Sequence, residues 1–172
     1  MTPQNIDPFH DRLENQGIIV APGEGELLDM NGMRICLKVT SAMSNDQLGL
    51  YEISLNPGAI GAKPHYHRFM DETFVVTRGR LTVNVGNSER QAEQGTVIYV
   101  PRFTAHAFRN DSKEETRLML LFNPAQKREG FFRGLYETLS EDPIDPEKYL
   151  KLYNKYDSYP VDPSDMLPVR EN

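Results

Sequence analysis

Tryptophan is absent from this 172-residue chain, cysteine occurs once and histidine four times. A single cysteine excludes an intramolecular disulfide, and Cys36, set between apolar neighbours in MRICLKV, reads as a buried, inert thiol rather than a nucleophile. No apolar run approaches the roughly 20 residues that a transmembrane helix needs. Nor is there a Lys/Arg cluster, since 19 basic residues stand against 25 acidic ones for a net charge of −6. Nucleic acids and anionic membranes are held mainly by basic side chains at phosphates, so neither is an expected partner. The opening MTPQNIDPFHDRLENQG lacks a basic start, an apolar stretch and a small-residue cleavage site, which makes a cytoplasmic location the expectation.

What is present suits one domain, with 38% hydrophobic residues to form its core. From 17 to 122, short runs of Val, Ile, Thr, Tyr and Phe alternate with Gly, Pro and Asn, the signature of an all-β sandwich or barrel. Strands are expected at 17–20, 33–39, 48–55, 72–77, 81–85, 96–100, 105–109 and 116–122, with a turn at Gly86-Asn87-Ser88. The character changes at 123. Asn123-Pro124 could cap a helix carrying Phe131, Phe132, Leu135, Tyr136 and Leu139 on one face, despite Gly130 and Gly134. Asp145-Pro146-Glu147 then opens a second helix with Tyr149, Leu150, Tyr153 and Tyr156, and the proline-bearing end beyond Asp157 should be extended or disordered rather than helical. The organisation expected is an N-terminal arm at 1–16, a barrel at 17–122 and a helical extension with a tail at 123–172. The helices are expected to pack on the outside of the barrel, with a lid over the site as the sharper alternative.

Three of the four histidines fall in two blocks, His65 and His67 beside Glu72, and then His106. Imidazole with carboxylate suits iron, manganese, nickel, copper or zinc, so these four residues are the candidate ligands of one divalent metal ion. Residues two apart on a strand share a face, which places His65 and His67 together with α-carbons roughly 6.5 Å apart and turns Tyr66 away. Glu72 follows His67 by five positions, an odd step on a straight strand, so 68–71 must bend if the three are to converge. His106 comes from a separate strand after Pro101. Phe108 and Asn110 share its alternation, and Phe108 is thereby a candidate for an apolar wall. Singly, each residue has a plainer reading: a half-exposed His pair, a solvated Glu, a hydrogen-bonded core His. Their coincidence favours the metal.

These residues resemble the cupins, whose first motif is G-x5-H-x-H-x3/4-E-x6-G and whose second is G-x5-P-x-G-x2-H-x3-N. His65, His67, Glu72 and Gly79 match the first with the longer spacing; Gly95, Pro101, His106 and Asn110 match the second. Gly58 stands one residue too early for the leading glycine, and Phe103 replaces the middle glycine of the second motif. The resemblance implies a double-stranded β-helix barrel of jelly-roll type, with the two histidines, the glutamate and the later histidine on one metal. The segment REGFFRGLYE, together with the second helix and the proline-bearing end after it, is weakly similar to small cupins grouped with quercetin dioxygenase. A small-molecule substrate is the expected partner, and a homodimer through barrel faces and swapped N-terminal strands is what the family implies. Dioxygenation of an enolic or phenolic compound is the leading activity, with Glu72 as ligand and catalytic base and Phe74, Val76 and Phe108 as the shielding wall. The alternatives are metal-dependent isomerase, decarboxylase or lyase chemistry, and a binding-only sensor or storage role.

Overall fold

The computed structural model describes residues 16–165 apart from Asn31. The expected arm at 1–16 therefore lies, Gln16 excepted, outside the described residues. Along the chain run β1 (Glu26–Met30), β2 (Met33–Val39), α1 (Ser41–Ser44), β3 (Gly49–Leu55), β4 (Ile60–Tyr66), β5 (Asp71–Arg78) and β6 (Arg80–Val85). After these come β7 (Ser88–Glu93), β8 (Val97–Val100), β9 (His106–Arg109), β10 (Thr116–Asn123), α2 (Arg128–Leu139), α3 (Pro146–Lys155) and β11 (Tyr159–Pro160).

Period-two alternation decides which side of each strand is dry. In β3, Tyr51, Ile53 and Leu55 are enclosed while Glu52 and Ser54 are not; β10 buries Leu118, Leu120 and Phe122 in the same rhythm, and β5 buries Glu72, Phe74 and Val76. These three strands form the middle of a six-stranded sheet in the order β1-β2-β3-β10-β5-β8, and a five-stranded sheet in the order β11-β4-β9-β6-β7 faces it. Every strand pairing is antiparallel. One continuous apolar core fills the space between the sheets. Each fully enclosed Ile, Leu or Phe there contributes roughly 1.5–3 kcal/mol of transfer free energy. This is the all-β, jelly-roll barrel with a helical extension that the residue pattern implies.

Several elements differ from expectation. Residues 17–20 form no strand; β1 begins at Glu26, where only Leu28 and Met30 turn inward. β7 is SERQAE, a nearly all-polar strand at a sheet edge with only Ala92 buried, and its charges guard that edge rather than advertise a strand. Cys36 is half-buried rather than buried, its thiol donating to the Glu24 carbonyl at 3.3 Å. Asn123 closes β10 instead of capping a helix, and α2 starts five residues later. By contrast α3 is capped as expected, with Asp145 Oδ1 accepting from the backbone N–H groups of Glu147 at 2.9 Å and Lys148 at 3.2 Å.

The helices do not lie on the outside of the barrel. α2 lays Phe131, Phe132 and Leu135 over the open end of the core, with Phe132 edge-on to Tyr51 at 5.0 Å, and α3 backs it through Tyr153 against Phe131 at 4.9 Å. The two glycines that weaken α2 as an isolated helix make this backing possible. A β-carbon on Gly134 would lie 2.4 Å from Leu152, and one on Gly130 would lie 2.5 Å from the Tyr156 hydroxyl. Glu129 ties α2 down, its buried carboxylate accepting from the Ser41 N–H, the Ser41 hydroxyl and the Tyr51 hydroxyl. Among the described residues no helix is long and apolar enough to cross a membrane.

Candidate metal centre

The bend demanded by the odd spacing of His67 and Glu72 is present. β4 ends at Tyr66, residues 67–70 leave the sheet, and β5 opens at Asp71 in the opposite sheet. Asp157, just past α3 at φ 57°, holds this bend: its carboxylate accepts the N–H groups of Arg68 at 2.9 Å and Phe69 at 2.8 Å. On the far side, the Arg102 backbone N–H and guanidinium donate to Asp71, at 2.9 and 3.0 Å to one oxygen, which fixes the start of β5 to the loop that delivers His106. Phe103, in place of a motif glycine, adopts φ 63° and donates its N–H to the His67 carbonyl at 2.7 Å.

Four side chains meet as a result. His65 and His106 are direct cross-strand partners of β4 and β9, with ring centroids 4.3 Å apart; His67 stands 4.9 Å from the first and 5.2 Å from the second. Glu72 reaches in from the other sheet. All four are buried, and one donor atom from each lies within 4.8 Å of the others.

The hydrogen bonds fix which atoms face inward. Nδ1 of His65 donates to the Lys63 carbonyl at 2.8 Å, Nδ1 of His67 to the Asp157 carbonyl at 2.5 Å, and Nδ1 of His106 to the Thr104 carbonyl at 2.9 Å. With Nδ1 protonated, a neutral imidazole presents the Nε2 lone pair, the orientation metal-binding histidines take. Yet Nε2 of His67 and of His106 lie 2.9 and 2.7 Å from one oxygen of Glu72. Two lone pairs aimed at a carboxylate repel it unless a proton or a metal cation joins them, and three imidazoles with one carboxylate are a donor set that fits a divalent metal.

The electrostatics of the group centre on Glu72. Burial raises the Glu72 pKa, but His106 and His67 outweigh it and hold the carboxyl well below its usual range. Burial lowers His65 strongly, with the positive charge of His106 and His67 adding to it, and lowers His67 against the pull of Glu72. For His106 the pull of Glu72 exceeds the burial effect and its pKa rises.

Beside this group lies a cavity of about 30 Å3, room for about two waters. His65, Glu72 and Phe108 line it from the barrel, and Arg128, Phe131 and Phe132 line it from α2. Phe108 thus stands where the alternation placed it. Phe74 is enclosed behind it, edge-on at 5.2 Å, and Val76 is buried farther along β5; neither reaches the cavity wall. Asn110, the last motif residue, is fully buried but organises a turn, its amide donating to the carbonyls of Leu55, Asn56 and Glu114. The sequence reading missed Asp157 and Arg128. Asp157 offers no signal at the head of a proline-bearing tail; Arg128, three residues ahead of Phe131, has the look of a solvated helix start.

Comparison with known proteins places the chain. The Cupin domain family matches residues 51–122, which hold all four candidate ligands. An uncharacterized protein of Streptomyces coelicolor is 36% identical over 83 residues, 48% of this chain and 73% of that one. Quercetin 2,3-dioxygenase of Bacillus subtilis is 27% identical over 123 residues, covering 72% of this chain but only 34% of the dioxygenase. Among solved structures, KdgF from Halomonas sp. aligns with a TM-score of 0.56 at 19% identity over 62% of this chain and 94% of its own. A predicted oxalate decarboxylase from Thermotoga maritima aligns with a TM-score of 0.56 at 16% identity, over 62% and 99%. Motifs, topology, donor cluster and relatives agree, and the chain belongs to the cupin family.

Proposed function

We propose that this protein is a metal-dependent enzyme of a small molecule, and that its leading reaction is dioxygenation of an enolic or phenolic substrate. The observation that carries this reading is a buried, pre-oriented His65–His67–Glu72–His106 donor set opening on an apolar cavity. A divalent metal held by those four side chains would supply a Lewis acid and, if redox-active, a route to dioxygen. The chain's own residues do the rest. Three backbone carbonyls hold the imidazoles in one tautomer. Glu72 Oε2 is the oxygen that faces Nε2 of His67 and of His106, which leaves Oε1 as the atom to accept a substrate proton. Phe108, Phe131 and Phe132 exclude water. The partial likeness to quercetin 2,3-dioxygenase supports the choice of reaction.

A redox-neutral isomerisation, decarboxylation or lyase reaction is the second reading, favoured by the enclosed positive charge of Arg128. Oxygen uptake separates the two. Protein loaded with Fe(II), Mn(II), Ni(II) or Cu(II) is expected to consume oxygen with at least one of a panel of flavonols, catechols and β-dicarbonyls, and His106→Ala is expected to abolish it. No uptake with any pair overturns dioxygenation; undiminished uptake in the variant overturns the site.

A further inference from the structure

Arg128 sits at the first position of α2, outside the matched 51–122 segment, yet it is 4% exposed and lines the same cavity as His65 and Glu72. A guanidinium this enclosed normally faces a carboxylate, because it stays charged and burial strips its water. Here no carboxylate of the described residues pairs with it. Its guanidinium carbon lies 3.9 Å over the Phe131 ring and 4.9 Å over the Phe122 ring, a setting that holds the plane in one orientation. Nη1 donates to the Tyr156 carbonyl at 3.0 Å and to the Ser158 hydroxyl at 2.8 Å. Nε is the one buried polar side-chain atom of the described residues without a partner, and both hydrogen bonds given above leave from Nη1.

The Nε and Nη2 hydrogens lie along one edge of the guanidinium, parallel to each other. That edge matches the two oxygens of a carboxylate and gives a charge-assisted bidentate pair. A clamp joining α2 to the Tyr156–Ser158 turn needs only the other edge. We propose that Arg128 binds a carboxylate of the substrate, so that the site takes a small carboxylate-bearing compound in preference to a neutral one. This deepens the metal-enzyme reading and rests on it for the other end of the substrate. The approach of a second negative charge towards Glu72 also requires a cation at each end of the ligand, and Arg128 supplies the one the donor set does not.

Binding to Zn(II)-loaded protein tests it without turnover, using calorimetry with malonate and its neutral diamide, malonamide, beside a separate measurement of bound zinc. Malonate is expected to bind at least tenfold tighter than malonamide. Arg128→Met is expected to lose that preference while keeping its zinc, and Arg128→Lys, which keeps the charge without the paired edge, to retain only part of it. Equal binding of the two ligands by the native protein overturns the proposal, as does an unchanged preference in either folded variant. If the native protein binds no zinc but still selects malonate through Arg128, the metal reading fails and the carboxylate site stands.

Discussion

At the scale of single residues, the centre is governed by groups that touch no substrate. Asp157 holds His67 twice over, through its own carbonyl on Nδ1 and through its carboxylate on the bend beyond it. Replacing it by Ala leaves the carbonyl but frees the bend. Outer partners of this kind are worth about 10–100-fold in metal affinity. Asp157→Ala is therefore expected to weaken metal binding about tenfold in a competitive chelator titration, with all four ligands intact. Titration behaviour follows from the same burial. His65 and His67 are held below their ordinary 6.5, so each contributes stability that is fully present above pH 6.5 and is lost as pH falls from that value through its own lower folded pKa. His106, held above 6.5, contributes below that value and loses its contribution as pH rises through its own folded pKa. Below 6.5 the His106 contribution is fully present and constant, while those of His65 and His67 are being lost. Metal-stripped protein is expected to melt at lower temperature as pH drops from about 6.5 to about 5.5, and Glu72 adds a further loss once pH falls below its ordinary 4.5. A thermal midpoint that is flat or rises on acidification contradicts this balance.

At the scale of elements, β4 and β9 carry His65 and His106, with His67 one residue past the end of β4, and the spacing of the two strands depends on Gly61. A β-carbon there would lie 2.0 Å from the Phe108 ring. Gly61→Ala must push Phe108 or the strand aside, at a cost of about 1–3 kcal/mol in denaturant unfolding and with weaker metal binding, whereas Ala62→Gly beside it is expected to leave the metal in place. Strands with clean alternation, such as β3, β5 and β10, were legible from the residues, as was the need for a bend before Glu72. β7 was not, because a polar edge strand carries no hydrophobic period, and the start of α2 was not, because Asn123-Pro124 offers a cap that the end of β10 takes up. The motifs marked all four residues that the structure brings together. They could not locate Arg128 or Asp157, whose contact with the centre is made by a fold-back of 60 to 90 residues that no local pattern encodes.

At the scale of the whole molecule, the 51–122 core supplies the donors, while the extension supplies the cap, the cavity's apolar ceiling and one charge. A chain ending at Asn123 would uncover Tyr51 and Phe122 and lose Asp157. Such a shortened protein is expected to bind a hydrophobic dye and to hold metal at least about tenfold more weakly than the full chain, both by titration. The dependence of His67 on Asp157 also sets an order in time. Ninety residues separate the two, which at about 5–20 residues per second is roughly 5–18 s of synthesis. Throughout that interval the newborn barrel has all four side chains but not the carbonyl that aims one of them, so the cluster is complete only where the chain finishes folding.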